Sequence, residues 1–289
     1  MTNSQVSVPP IKSRLRSLLD GLAHLWLRFR RSVKINGLPM AIWRSIRRLF
    51  RSLRHHGLTG TASRAAHKPG LIFDHEAPLP THPFDILHGV DTSGYIRSGV
   101  LLNSASAIHT VAYYGISPST LHQGLTRIPA PLDRFTFVDI GCGKGRALIV
   151  AAQLHFARLI GVDLAAELCE IAVQNLALVP AAAGRVSVLN VDAITLVYPE
   201  TPLVIFLYDP FYAPILRKVL ANLERQLRRS PRETYILYAA NRLLGEFDRF
   251  PSFELLWDAQ IPLSPEDAAV DRHGLIHEHY TLHKSTLSP

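Results

Sequence analysis

The stretch FVDIGCGKGRALIV, residues 137–150, decides the fold. In it, an apolar run typical of a buried strand contains an acid near its end, three glycines follow at alternate positions, and a helix-forming segment then begins. Glycines carry no Cβ atom, so they allow positive φ and let a ligand lie against the main chain. In an open α/β sheet, the first strand-to-helix turn closely approaches a ligand at the carboxyl ends of the strands. The stretch therefore predicts a ligand-binding turn.

Outward from this turn, β-rich runs alternate with helical patterns from about residue 134, which is typical of a parallel sheet with helices on both faces. We expect helices over 146–154, 167–178 and 214–228. No helical pattern separates the last two runs, which predict an antiparallel pair that closes the sheet. The expected strands cover residues 135–140, 157–163, 185–193, 202–211, 234–241, 253–259 and 275–284. The predicted fold class is doubly wound α/β.

Composition and charge set further bounds. The chain has 289 residues and is 47% hydrophobic, which is enough for an α/β domain plus an appendage and argues against a disordered protein. Residues 1–56 hold twelve Lys or Arg against one acid, a net charge of +11, whereas the remaining chain holds 19 basic and 22 acidic residues, a net charge of −3. The basic character therefore belongs to an N-terminal arm. With only Cys142 and Cys169, no disulfide framework is predicted and a reducing compartment is expected.

The arm, residues 1–56, is predicted to be helical and amphipathic. Apolar residues recur at steps of three and four, residues 37–39 interrupt the pattern, and a second helix follows. Neither helix has the roughly 18 apolar residues that a membrane span needs. The open interpretations are binding of residues 11–54 to an anionic membrane surface, packing on the domain itself, a cleaved presequence and, less favoured, nucleic-acid binding. The expected location is cytoplasmic, and peripheral at the inner membrane surface if the arm binds lipid.

The rest of the chain divides into a linker and one domain. Glycines and prolines interrupt any periodicity over residues 57–83, which predicts a linker. The predicted domain covers residues 84–289. It consists of an N-terminal cap over 84–134 and an α/β core over 135–284.

Acids accompany the ends of the first three predicted strands. Asp139 directly precedes the glycine turn, which suits a ligand with an ammonium and a sulfonium better than a pyrophosphate. Asp163, twenty residues after Gly143, is placed to accept hydrogen bonds from a ribose diol, and Asp192 is placed to accept one from an adenine amino group. Adenosine with a positively charged tail fits this pattern. A nicotinamide dinucleotide fits less well, because Arg146 stands where its motif has the last glycine.

The motifs VDIGCGKGR, IGVD, NVDA and LYDPF, in that order and spacing, resemble those of class I S-adenosylmethionine-dependent methyltransferases. The resemblance covers roughly residues 84–284. It implies S-adenosylmethionine as cofactor and a Rossmann-like, mostly parallel seven-stranded sheet with one antiparallel strand near its edge. Together with GVDTSGYI and YYGISPSTL, the same motifs are similar to a bacterial methyltransferase family without a named substrate, which is distantly similar to protein-lysine methyltransferases.

Matching positions carry the family's cofactor contacts onto this chain. The resemblance implies that Asp139 and the turn from Gly141 to Gly145 hold the methionine part, Asp163 the ribose hydroxyls and Asp192 the adenine. Tyr114 is expected to cover the pocket, as is Ser117, which alternatively only starts a helix. The full expected cofactor set is Asp139, Gly141, Cys142, Gly143, Gly145, Asp163, Leu164, Asp192, Ala193 and Tyr114.

The loop after the fourth predicted strand, residues 208–212, faces the transferred methyl group in the resembled fold. It is similar to the [ND]-P-P-[YF] motif with which amino-methylating enzymes accept an N–H and stack an aromatic ring on the acceptor. The second proline is missing, so specificity for adenine N6 or glutamine N5 is not implied. The candidate catalytic residues are Asp209, Phe211 and Tyr208, and Asp209 alternatively caps a turn.

Histidines and cysteines suggest no further chemistry. His277, His279 and His283 share one face of the last predicted strand without an accompanying acid or cysteine, so we interpret them as a solvated face and predict no metal site. Cys142 has no histidine partner nearby in sequence, so we do not expect a nucleophilic role for it. Cys169 is expected to pack in the core.

The predicted function is S-adenosylmethionine-dependent methyl transfer, with an amine on a protein as the first choice of acceptor. Two alternatives stay open at the sequence level. One is a methyltransferase that acts on a small metabolite or a nucleic-acid base. The other is a non-catalytic binding or scaffolding module that retains the fold.

Overall fold

The computed structural model describes residues 80–96, 111–240 and 242–287. The predicted arm, residues 1–56, and the predicted linker up to residue 79 lie outside the described residues. Within the described ranges, no helix has the length and apolar character needed to cross a membrane.

One seven-stranded sheet lies at the centre of the described chain. The strands of the described chain are β1 (Tyr95–Ile96), β2 (Tyr113–Tyr114), β3 (Thr136–Ile140), β4 (Arg158–Asp163), β5 (Val186–Asn190), β6 (Leu203–Tyr208), β7 (Thr234–Ala239), β8 (Phe253–Pro262) and β9 (His277–Ser285). The spatial order in this sheet is β5-β4-β3-β6-β7-β9-β8. The pairs from β5 to β7 are parallel, and β9 is antiparallel to both neighbours. The predicted doubly wound sheet, with one antiparallel strand near its edge, is confirmed.

Helices flank this sheet, and proline starts several of them. The helices are α1 (Pro83–His88), α2 (Pro118–Thr126), α3 (Arg146–Ala152), α4 (Ala166–Ala177), α5 (Ala213–Arg229) and α6 (Pro265–Val270). In α1, α2, α5 and α6 a proline lies in the first turn, where its missing N–H leaves no helical hydrogen bond unmade.

Some predicted boundaries need correction. Helix α6 lies between the last two strands, where no helix was expected, because its six residues are too few to show an apolar period. Strand β5 ends at Asn190 and β6 at Tyr208, earlier than predicted. Directly after β6, Asp209 has φ +42°, which is incompatible with an extended strand.

Two hydrophobic layers pack on opposite faces of the sheet. All five residues of β3 are buried. Successive side chains of a strand point to opposite faces, so Phe137 belongs to one layer and Val138 to the other. The first layer includes Leu148 of α3, and the second includes Leu220 of α5. A strand covered on both faces is mostly apolar, which explains the nearly continuous apolar runs in the sequence.

The interpretation of the three β9 histidines as a solvated face is wrong for His283. His277 is exposed and His279 is half-buried, but His283 is only 2% exposed and stacks on Phe247 with ring centroids 4.1 Å apart. Burial lowers the pKa of His283 to about 4. Strand β9 lies between β7 and β8. The position of each histidine within this sheet, and not the alternation of side chains along the strand, therefore decides which of them is covered. Among the described residues, no cluster of three metal-ligating side chains occurs.

The N-terminal cap is attached to the core through Arg146, the first residue of α3. Its Nε donates to the Thr92 hydroxyl at 2.7 Å, and one terminal nitrogen donates to the Ile116 carbonyl at 3.3 Å. The buried Asp85 carboxylate lies 3.6 Å from the guanidinium and accepts the Thr92 N–H at 2.7 Å. In the sequence, Arg146 served only as evidence against a dinucleotide-binding motif. The structure shows that it anchors the cap.

Candidate functional site

The glycine turn joins β3 to α3 at the point where the strand order reverses. Gly141, Gly143 and Gly145 have φ of +85°, +53° and +89°, a region that glycine adopts at little cost. The Gly141 N–H donates to the Val162 carbonyl at 2.8 Å, which holds the turn against β4. A Cβ atom on Gly141 would lie 2.7 Å from Cβ of Pro210. Bare backbone is therefore required at the first glycine.

The other two glycines of the turn face protein atoms. A Cβ atom on Gly143 would lie 2.3 Å from the ring of Tyr113, and one on Gly145 would lie 3.3 Å from Cβ of Ala172 in α4. Gly143 thus makes room for the cap, and Gly145 makes room for close helix packing.

A cavity of about 610 Å³ lies beside the turn at the carboxyl ends of the strands. This volume is typical of a small-molecule site, and the location is the one expected for a ligand of an open α/β sheet. The predicted residues that line it are Tyr114, Gly141, Asp163, Leu164, Asp192, Ala193, Tyr208, Asp209 and Phe211. The predicted residues that do not line it are Asp139, Cys142, Gly143, Gly145 and Ser117.

Asp139 and Cys142 lie under the turn, each at most 5% exposed. Burial raises the pKa of Asp139 to about 8, and the nearby charge of Asp163 raises it further. A cation close to Asp139 would lower this pKa and favour the carboxylate. Burial also raises the pKa of the Cys142 thiol, which makes it a poor nucleophile at neutral pH.

Two acids stand at the cavity wall on neighbouring strands. Asp163 ends β4, and its two carboxylate oxygens accept the Gly143 and Ala165 N–H groups, both at 2.9 Å. Asp192 follows β5 and accepts the Ile194 N–H at 3.0 Å. A carboxylate oxygen can accept more than one hydrogen bond. Both side chains are therefore oriented by backbone amides and retain acceptor capacity for a ligand.

The cavity lining fits the cofactor that the sequence predicts. Gly141 offers bare backbone, and Asp163 and Asp192 offer acceptors for hydroxyl and amino groups. Leu164 and Ile194 add apolar surface for a flat ring. A mostly apolar wall with a few oriented polar groups is the usual composition of such sites.

Asp209 also lines the cavity, and two side chains hold its carboxylate. The residue is 6% exposed. One carboxylate oxygen accepts the Tyr238 hydroxyl at 2.8 Å, and the other is paired with the Arg242 guanidinium. Burial raises the pKa of Asp209, and Arg242 opposes the rise. Asp209 and Ala240 are non-glycine residues with positive φ, and both line the cavity. Such strain often marks functional sites.

The cap meets the loop after α6 at the cavity. The Tyr114 hydroxyl accepts the Arg272 N–H at 3.0 Å and donates to Asp271 at 3.3 Å. Its ring contacts His273 edge-on, with centroids 5.7 Å apart. Ser117 lies directly before α2 and is 7% exposed, with its hydroxyl 3.5 Å from Glu278. Tyr114 therefore covers the cavity, whereas Ser117 belongs to the interior.

Several cavity residues were not predicted from the sequence. The clearest are Tyr95, Tyr113, Arg242, His273 and Leu275. Tyr95 and Tyr113 lie inside the motifs GVDTSGYI and YYGISPSTL, so these motifs contained a signal for them. Arg242, His273 and Leu275 come from loops that no motif marks, and only the folded chain brings them together.

Comparison with known proteins gave one family match. Residues 137–230 match a family model described as a methyltransferase domain. No curated protein matched the sequence.

Several solved structures are similar to this chain at low identity. The [4+2]-cyclase SpnF is 16% identical, with a TM-score of 0.45 over 60% of this chain and 82% of that chain. Phosphoethanolamine N-methyltransferase 1 from Haemonchus contortus, in complex with phosphoethanolamine and S-adenosylhomocysteine, is 15% identical, with a TM-score of 0.43 over 58% and 42%. Magnesium protoporphyrin IX methyltransferase from Synechocystis, with bound S-adenosylmethionine, is 13% identical, with a TM-score of 0.42 over 58% and 77%.

The sheet order, with reversed β9, and the cavity at the switch point define a Rossmann-like α/β domain with a ligand site. The family match places a methyltransferase domain over residues 137–230 of this chain. The chain is thus an enzyme with a methyltransferase domain, and its cavity lining fits the S-adenosylmethionine that the sequence motifs imply as methyl donor.

Proposed function

We propose that the enzyme methylates an amine on a protein. The observation that carries this proposal is the wall formed by residues 208–211, which brings a phenol, a carboxylate and an aromatic ring to one side of the cavity. The cavity lining also includes Tyr95, Tyr113 and Tyr114. Aromatic faces attract alkylammonium groups, whereas the missing second proline leaves the motif for planar amino groups incomplete.

The residues of the site have different roles in methyl transfer. When bound, S-adenosylmethionine supplies an electrophilic methyl group. Asp163 and Asp192 orient the adenosine, and the aromatic wall orients the acceptor and excludes water. An amine attacks only through a neutral lone pair in line with the bond that breaks, so positioning and desolvation contribute most to the rate.

Transfer of tritiated methyl groups to an extract tests the proposal. S-adenosylmethionine with a labelled methyl group is incubated with the enzyme and an extract, and the protein, nucleic-acid and small-molecule fractions are counted. We expect label in protein, recovered as methylated amines after acid hydrolysis. Label confined to nucleic acid or small molecules would contradict the protein acceptor, and absence of label with intact cofactor binding would favour a scaffold.

A variant of the wall makes the same assay specific. Asp209→Asn preserves the shape of the side chain but removes its charge and the ion pair with Arg242. We expect the rate of transfer to fall at least tenfold while the Kd for S-adenosylmethionine changes little. The matched control is Glu246→Gln, which removes the carboxylate of the ion pair between Glu246 and Arg217. This variant should keep the wild-type rate.

We also propose that residues 11–54 bind an anionic membrane surface and place the enzyme at the inner face of the membrane. The support is the charge of residues 1–56 together with their apolar period. Sedimentation of the full chain with vesicles containing phosphatidylserine tests this, compared with neutral vesicles and with a variant carrying Arg47→Glu, Arg48→Glu and Arg51→Glu. Equal sedimentation in all cases would refute membrane binding.

A further inference from the structure

Glu278 in β9 is a buried carboxyl surrounded by hydroxyl groups. It is 3% exposed. It accepts hydrogen bonds from Tyr208 at 3.1 Å, Tyr280 at 3.3 Å and Ser117 at 3.5 Å, and also from Thr120. These donors come from β6, β9 and α2 with the residue before it. Three separate parts of the described chain therefore converge on a single carboxyl group.

The side-chain groups that donate hydrogen bonds to Glu278 among the described residues are hydroxyl groups. Burial raises the pKa of Glu278 to about 7, the hydroxyl groups of Thr120, Tyr208 and Tyr280 oppose the rise, and the charge of Asp271 adds to it. A carboxyl paired with Lys or Arg would stay ionised. Hydroxyl donors satisfy the carboxylate without fixing its charge, so this side chain can take up a proton near neutral pH.

Tyr208 connects this carboxyl to the cavity. It is the last residue of β6, directly precedes Asp209 and lines the cavity. Its hydroxyl donates to Oε1 of Glu278. Burial, followed by the charge of Glu278, raises the pKa of the Tyr208 phenol. The phenol thus stays protonated and can pass a proton on only while it receives another.

We propose that Tyr208 and Glu278 form a proton relay that removes the proton an acceptor ammonium must lose before methyl transfer. This inference rests on the proposed amine acceptor and extends it. Tyr208 contacts the acceptor, and Glu278 acts through Tyr208 as a positioning residue and proton store.

The relay balances in atoms and charge. The ammonium gives a proton to the Tyr208 oxygen while the Tyr208 proton moves to Oε1 of Glu278. The nitrogen lone pair then forms the new N–C bond, the C–S bond of the donor breaks, and its electron pair stays on sulfur. The products are a methylated ammonium, S-adenosylhomocysteine and neutral Glu278, which later returns its proton to solvent.

Direct titration of Glu278 tests the relay without any acceptor. Carboxyl carbons of glutamate are labelled with carbon-13 in the full chain, and Glu278 is assigned by the signal that Glu278→Gln removes. We expect a midpoint near 7, against about 4.3 for exposed glutamates. Tyr208→Phe should raise the midpoint, because it removes a hydrogen bond that stabilises the carboxylate. A midpoint below about 5, or one that Tyr208→Phe leaves unchanged, would overturn the relay.

Kinetics supply the second test. With labelled methyl transfer to protein as readout, we expect Glu278→Gln to lower kcat by about 10²-fold or more, with an unchanged Kd for S-adenosylmethionine. The loss of rate below pH 7 should disappear in Glu278→Gln, and Glu278→Asp should recover part of the rate. Glu254→Gln, on exposed surface of the adjacent strand β8, is the matched control.

The outcomes separate the two proposals. A Glu278→Gln variant with the wild-type kcat and pH profile would refute the relay and leave the protein acceptor intact. A wild-type enzyme that labels no protein would refute the proposed acceptor, and the carbon-13 titration would then decide alone whether Tyr208 and Glu278 are coupled.

Discussion

At the scale of single residues, Asp163 shows how the folded chain orients a motif acid at the cavity wall. Two backbone N–H groups hold its carboxylate at the cavity wall. One N–H group belongs to Gly143 in the glycine turn, and the other belongs to Ala165, the residue that precedes α4. A short side chain fixed in this way loses little conformational freedom when a ligand binds.

Replacement of Asp163 by Ala should weaken cofactor binding. The variant loses the expected acceptor for the ribose hydroxyls and leaves the Gly143 and Ala165 N–H groups without their partner. We expect the Kd for S-adenosylmethionine to rise at least tenfold, about 1.4 kcal/mol, in calorimetric titration. NAD should bind neither protein. An unchanged Kd in a folded variant would remove Asp163 from the site.

His283 gives a prediction about pH and stability. Its pKa is lowered from 6.5 to about 4 in the folded protein, so between these values the unfolded chain binds more protons. The free energy of unfolding should therefore fall as pH falls from 6.5 to 4, by on the order of 3 kcal/mol from this group. Urea unfolding of His283→Phe should lack this part of the fall. Parallel pH dependence in both proteins would contradict the prediction.

At the scale of elements, the turn between β3 and α3 places two structural requirements on Gly141. Gly141 has positive φ, and a Cβ atom added to it would lie 2.7 Å from Cβ of Pro210 in the loop after β6. This close approach joins the predicted cofactor side of the cavity to the predicted acceptor side. The turn therefore sets the distance between these two halves.

Comparison of Gly141→Ala with Gly184→Ala should separate the cost of a left-handed backbone from the effect of the close approach to Pro210. Both glycines have positive φ, +85° and +71°, but an added Cβ at Gly184 meets nothing within 4 Å. We expect both variants to lose about 1 kcal/mol of stability from the left-handed backbone. Only Gly141→Ala should also weaken S-adenosylmethionine binding, at least tenfold. Equal binding by the two variants would show that the close approach to Pro210 is unimportant.

At the scale of the whole molecule, the cap and the core complete one cavity. The cap contributes Tyr95, Tyr113 and Tyr114, and the core contributes the strand ends. Arg146 and Asp85 join the two parts in the interior. Cofactor binding should thus depend on a contact that lies outside the cavity lining.

Arg146→Met should loosen the cap. It leaves the Asp85 carboxylate buried without its cation, which typically costs about 3–5 kcal/mol. We expect faster amide hydrogen exchange over residues 80–96 and 113–116 than in wild type, with β3 and β6 still protected. Adding Asp85→Asn should restore part of the protection. Uniformly faster exchange across the sheet would instead indicate that the core depends on this pair.

The sequence determined the sheet and much of the cavity. Nearly continuous apolar runs and the glycine turn predicted the parallel strands, because strands covered on both faces are mostly apolar and glycine adopts positive φ at little cost. Asp163, Asp192 and the loop at residues 208–211 lie at the cavity wall, since acids and loops that end neighbouring parallel strands meet at one edge.

Only the tertiary structure decided which side chains face that edge and which are covered. Asp139 and Gly143 lie in the motif but do not line the cavity. Asp139 is buried in β3, and the cap places Tyr113 against Gly143. His283 is buried because β9 is inserted between β7 and β8. Glu278 meets Tyr208, seventy residues earlier in the chain, across elements that no local pattern relates. Local sequence encodes backbone conformation and burial period, whereas partners distant in sequence depend on how the elements pack.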